Sequence, residues 1–256
     1  MVATPGVVEF GGTGPGILLL HGLMGRATTW WPVSRWLTGY GRVIGLDARG
    51  HGRSPHRGEA VRTEDFVADA AELIRGYGLA PAVVIGHSMG GLHAWALAAT
   101  HPDLVRAVVI EDMAPDQRGR TVDDWRAYFE SWPVPFAALA HVREYFAPLG
   151  DYFTECVEER ADGYHLIAEL DELYRIAAEW GEREYWALVE AVRCPVLVLE
   201  AADSPMPAGQ QADLAARTAG PARHLIVPGS GHVIHATSPE AYRGAVEAFL
   251  SDVLGR

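Results

Sequence analysis

The chain has 256 residues, 49% of them hydrophobic, which gives room for one large core, or one core with an insertion, and excludes a disordered chain. Its net charge of −12 argues against nucleic acid or an anionic membrane surface as partner, since both demand clustered basic charge. All 21 basic residues are arginine, so a lysine Schiff base, a P-loop lysine and a Ser–Lys dyad are excluded as well.

At the start, MVATPGVVEF lacks the basic opening and long apolar run of a signal peptide, and no later stretch approaches the roughly 20 apolar residues that span a bilayer. A cytoplasmic protein is expected. Apolar β-type runs follow at 17–22, 42–47, 82–87, 105–110, 195–200 and 224–228. Helix-length segments at 63–78, 89–100, 209–219 and 239–254 separate most of them. This alternation predicts an α/β fold, a mostly parallel, doubly wound sheet with crossover helices, and continuous apolar runs suit a sheet covered on both faces.

The pattern breaks between residues 114 and 191, where helical stretches replace the strands and an inserted helical cap is expected; residues 1–113 and 192–256 form the core. Residues 113–193 hold 14 of the chain's 24 aromatics. Some must build the cap's own core, and the rest suit an apolar acyl pocket, with Trp125, Phe129 and Trp132 as candidate linings. The same stretch carries 17 Asp and Glu against 8 Arg, so a neutral, largely apolar small molecule is the expected substrate. Cys156 and Cys194 form no C-x-x-C pair and the histidines show no HExxH or paired-ligand spacing, so neither metal nor cofactor is expected.

Three motifs end strand-like runs. AVVIGHSMGG breaks into Gly86-His87-Ser88-Met89-Gly90 before a good helix former, a G-x-S-x-G nucleophile elbow in which glycines permit the bend and Ser88 projects at its tip. His21-Gly22-Leu23-Met24-Gly25 follows GILLL, and Gly229-Ser230-Gly231-His232 follows RHLIVP. With DARGHGRSP (47–55), these motifs in this order resemble the serine-nucleophile branch of the α/β-hydrolase superfamily over nearly the whole chain. Haloalkane dehalogenases and epoxide hydrolases of that fold use an aspartate nucleophile, which Ser88 excludes.

A serine hydroxyl needs a base, and His232, after the last strand run, is the candidate; His235, three residues on, is its one rival. The resemblance implies an oxyanion hole from the backbone N–H groups of Leu23 and Met89; Met24, beside Leu23, is a candidate wall of the acyl pocket or an ordinary core methionine. For the acid there are three candidates. Asp112 in VVIEDMAP ends the strand run before the cap, 24 residues after Ser88, and resembles the acid of a branch of small acyl-ester hydrolases. Asp203 in LEAADSP lies one residue before the commoner family position, which Ser204 occupies, and Glu111 adjoins Asp112. The expected activity is carboxylic-ester hydrolysis, with a lactone or thioester as other possible substrates. C–C bond hydrolysis or acyl transfer would use the same triad, and a non-catalytic ligand-binding role is the reading from another class.

Overall fold

The structure, a computed structural model, describes residues 6–54, 58, 61–120 and 122–255; Pro55, which ends DARGHGRSP, and His56 lie outside the described residues. The elements run β1 (Val7–Gly11), β2 (Gly16–Leu20), α1 (Trp31–Leu37), β3 (Arg42–Leu46), α2 (Thr63–Gly76), β4 (Ala82–His87), α3 (Met89–Thr100) and β5 (Val105–Glu111). Next come α4 (Val122–Glu130), α5 (Leu139–Tyr145), α6 (Gly150–Thr154), β6 (Val157–Arg160), β7 (Gly163–Leu166), α7 (Leu170–Glu182) and α8 (Trp186–Ala191). The chain ends with β8 (Val196–Asp203), α9 (Gln210–Arg217), β9 (Ala222–Gly231), α10 (Ile234–Thr237) and α11 (Pro239–Leu254).

Seven strands form one sheet in the order β1-β3-β2-β4-β5-β8-β9. All neighbours pair in parallel except β1 with β3. Strand alternation sorts the apolar runs onto two faces. Ile17, Leu19, Val83 and Ile85 pack with α1 and α11, whereas Leu18, Leu20, Val84 and Val108 pack with α2, α3, α8 and α9. The fold is therefore the expected doubly wound, mostly parallel α/β sheet. Among the described residues, no helix is long and apolar enough to cross a membrane.

Two edges differ from the sequence pattern. Strand β1 gives a weak signal because it is an edge strand that is only partly buried and carries Glu9; it also slips register between Glu9 and Gly11. At the opposite edge, β9 has one free side, and Leu225 and Ile226 are 44% and 59% exposed in a run expected to be covered. The connection from β5 to β8 is not wholly helical either. Strands β6 and β7 form a two-stranded hairpin, and Glu158, Glu159 and Arg160 leave it without the apolar run of a buried strand. This connection is also divided in its packing. Trp132, Phe136, Val142, Phe146, Val157 and Leu166 make a separate apolar cluster, while Leu173, Ile176, Ala177 and Val189 of α7 and α8 join the main core.

Packing is tight where β4 turns into α3. A Cβ on Gly86 would meet the Gly90 carbonyl oxygen at 2.1 Å, and one on Gly90 would meet the Leu20 carbonyl oxygen at 2.2 Å. Both neighbours are backbone, so relief requires moving a strand or a helix. Gly90→Ala is expected to destabilise the protein by about 1–3 kcal/mol or more. By contrast, Gly244→Ala should stabilise by about 0.5–1 kcal/mol, since it lies within α11 with nothing within 4 Å of its added Cβ. Urea unfolding of the two variants checks this, and equal midpoint shifts would contradict the packing argument.

Candidate active site

Among the described residues, only Ser88 (φ 50°) and Asp112 (φ 48°) are non-glycine residues at positive φ. Such backbone costs about 1–3 kcal/mol and persists where surrounding structure imposes it. Both sit at strand ends. Ser88 follows β4 and precedes α3; its N–H donates to the Glu111 carbonyl at 2.8 Å, and its own carbonyl accepts from Gly91 and Leu92. Asp112 follows β5, with its N–H donating to Leu199 of β8 at 2.8 Å.

His232 Nδ1 donates to Asp112 Oδ2 at 2.7 Å. Asp112 is fully buried, and its other oxygen accepts from the Ala201 N–H and from Gln211 Nε2, each at 2.9 Å. Burial alone would raise the carboxyl's pKa, but the His232 hydrogen bond and charge, with those from Ala201 and Gln211, outweigh it and hold it below the usual carboxylate value. Asp203 sits elsewhere, exposed at the end of β8 beyond a register slip. Ser204, at the alternative acid position, accepts from Gln211 Nε2 at 3.2 Å.

The remaining two candidates pair with each other. Glu111 accepts from the His235 N–H and from His235 Nδ1, all at 2.9 Å, and both side chains are buried. His235 also stacks on Trp30 at 4.3 Å between ring centroids. His87 lies between the two pairs, and its Nε2 donates to the His232 carbonyl at 3.1 Å. Burial, followed by the charges of His232 and His235, pushes His87 well below the ordinary imidazole range, so the ring is a neutral support.

The loop after β2 is fixed by two more buried imidazoles. His21 accepts from the Ala48 N–H at 2.9 Å and donates through Nδ1 to the Gly22 carbonyl at 2.8 Å. Burial, then His51, pushes His21 down to about 3. His51 Nε2 donates to the Leu23 carbonyl, tying DARGHGRSP to this loop. Gly22 is required, because a Cβ there would lie 2.6 Å from His87 Nδ1. Neither the Leu23 N–H nor the Met89 N–H donates to another described residue.

A cavity of about 320 Å³ joins these groups, lined by Ser88, His232, Leu23, Met24, Trp125, Phe129 and Trp132, among others. Its aromatic wall is braced from behind, with Trp132 edge-on to Phe146 at 4.8 Å and Phe146 stacked on Phe153 at 3.9 Å. Among the described residues, no group of three or more His, Cys, Asp or Glu side chains could hold a metal ion. Sequence reasoning misses Gln211, the Glu111–His235 pair and the His51 anchor. Gln211 carries no local signal, lying 99 residues from Asp112 in an ordinary helix.

The family model described as alpha/beta hydrolase fold matches residues 15–144. The chain is 26% identical to (E)-2-((N-methylformamido)methylene)succinate hydrolase of Acinetobacter baylyi, covering 93% of this chain and 91% of that protein. It is 26% identical to Esterase YbfF of Escherichia coli over 92% of this chain and 93% of that one. The crystal structure of E-2-(acetamidomethylene)succinate hydrolase superposes with a TM-score of 0.85 at 26% identity, covering 96% and 94% of the two chains.

The two imidazole–carboxylate pairs can be separated spectroscopically. Proton NMR should show two hydrogen-bonded imidazole N–H resonances far downfield of the amides. Asp112→Asn should remove or shift one and Glu111→Gln the other, while Asp203→Asn leaves both. Loss of a resonance in Asp203→Asn would contradict the geometry.

Proposed function

The chain belongs to the α/β-hydrolase family and is a hydrolase, and from that premise we propose that it cleaves carboxylic esters through an acyl-enzyme formed on Ser88. The observation that carries this reading is the 2.7 Å bond from His232 to buried Asp112, in a loop that shares one cavity with the strained serine. Asp112 fixes the imidazole tautomer, leaving Nε2 of His232 free to accept a proton.

In this mechanism Ser88 Oγ attacks the ester carbonyl as His232 takes its proton. The tetrahedral oxyanion accepts hydrogen bonds from the Leu23 and Met89 N–H groups, the latter at the positive end of α3. His232 then gives the proton to the leaving alcohol. Water attacks the acyl-enzyme with His232 again as base, and the acid departs. The segment over the cavity, rich in Trp, Phe and Tyr, acts as a cap that admits a small acyl compound with a largely apolar body.

Assays use 4-nitrophenyl esters of graded acyl length. Ser88→Ala is expected to lose on the order of 10⁶-fold in kcat, as when a triad nucleophile is removed. Asp112→Asn should lose about 10⁴-fold through the wrong imidazole tautomer. An alkyl phosphonate should label Ser88 and no other residue. Wild-type turnover by Ser88→Ala would overturn the proposal.

A further inference from the structure

The cavity over Ser88 is apolar except along one wall. No Asp or Glu is among its described lining residues, and Arg120 is the one guanidinium there. Gln117 lines the same wall at 5% exposure. Among the described residues, its Nε2 donates only to the thioether of Met113, at 3.4 Å, and its Oε1 has no hydrogen-bond partner. Sulfur is a weak acceptor, so a half-turn of the amide costs little and presents either a donor or an acceptor to the cavity. A buried amide left this way points to a partner supplied from outside the chain.

The two side chains are held in register by a turn, in which the Arg120 N–H donates to the Gln117 carbonyl at 3.1 Å. The turn is itself clamped, because Gln210 of α9 bonds both the N–H and the carbonyl of Asp116, at 2.9 and 2.8 Å. The Asp116 carboxylate is engaged by Arg118 at 2.7 Å, so it does not neutralise Arg120. Arg120 is solvent-exposed at the cavity mouth; one amino group donates to the Pro205 carbonyl, also at the cavity, and among the described residues the rest of its planar fork makes no other bond.

We propose that Gln117 and Arg120 form a subsite for a carboxylate carried on the substrate, whose apolar body fills the rest of the cavity. This deepens the esterase reading and rests on it for the bond that is cleaved. The guanidinium donates to one carboxylate oxygen and the turned amide to the other, a charge-assisted pair set in walls that offer an anion no other cation. The neutral substrate expected from net charge gives way here to a monoanion.

The test compares two esters with the same six-carbon acyl chain, 4-nitrophenyl hexanoate and mono-4-nitrophenyl adipate, which ends in a carboxylate. Calorimetry on Ser88→Ala protein should give the adipate ester about tenfold tighter binding. Adding Arg120→Met, or separately Gln117→Glu, should bring the adipate-to-hexanoate affinity ratio to about one or below. Both added variants must retain the parent's circular dichroism, and Arg120→Lys should recover part of the preference. Equal or weaker binding of the adipate ester to Ser88→Ala protein would overturn the subsite. So would an adipate preference that survives Arg120→Met, or equal affinity for the ester ending in a primary amide. Adipate preference without hydrolysis of either ester by wild-type protein would overturn the esterase reading and leave the subsite standing.

Discussion

Two consecutive buried carboxylates at the end of β5 organise the rest of the site. Taking a carboxylate out of water is costly unless donors surround it, so Glu111 and Asp112 dictate where their partners must lie. Asp112 draws in His232, Gln211 and the Ala201 N–H, while Glu111 draws in both the ring and the main chain of His235. The loop after β9 is thereby held at two points three residues apart, and His87 supports it from below through the His232 carbonyl. The same strand end receives the Ser88 N–H at the Glu111 carbonyl. The Ser88 turn and the His232 loop are thus tied to one pair of residues, and neither can shift without breaking hydrogen bonds to buried side chains.

Sequence patterning reveals the parts of this arrangement that are local. The elbow is legible because Gly86 and Gly90 are demanded by backbone contacts near 2 Å, and such contacts leave a sequence trace. Interior strands are legible because burial on both faces makes them apolar throughout. Strand β1 and the β6–β7 hairpin escape because an edge or a one-sided ribbon needs no such run. Asp112 and Asp203 both close apolar strands, and nothing in either stretch says which reaches across to His232. That choice depends on sheet order, which places β5 beside β4 and sends the end of β8 outward. Gln211 is illegible for the same reason, as a helix residue matters here only because α9 packs on β8 and β9 and brings it to Asp112 at the end of β5.

The division of the β5–β8 connection shows how the pocket can vary while the sheet stays fixed. Helices α7 and α8 bury their apolar faces in the main core, so they are bound to the fold's stability. The cluster from Trp132 to Leu166 has an apolar core of its own, and Trp132 of that cluster lines the cavity. Substitution there changes the shape offered to a ligand with little cost to strand packing, which is consistent with relatives of one fold being named for different substrates.

Net charge is a poor guide to what such a cavity accepts. The long-range field of a chain at −12 decays over a Debye length of about 10 Å at 0.1 M salt, and it acts on the rate of encounter. What a ligand meets once inside is set by contact. Some acidic side chains of the β5–β8 connection are engaged in surface pairs, such as Glu130 with Arg126, Asp151 with Arg143 and Glu158 with Arg160. Among its described residues, the cavity lining holds one arginine, itself solvent-exposed, and no carboxylate. An anion is therefore slowed on approach and favoured on arrival, so the field selects for ligands carrying one charge and against those carrying many.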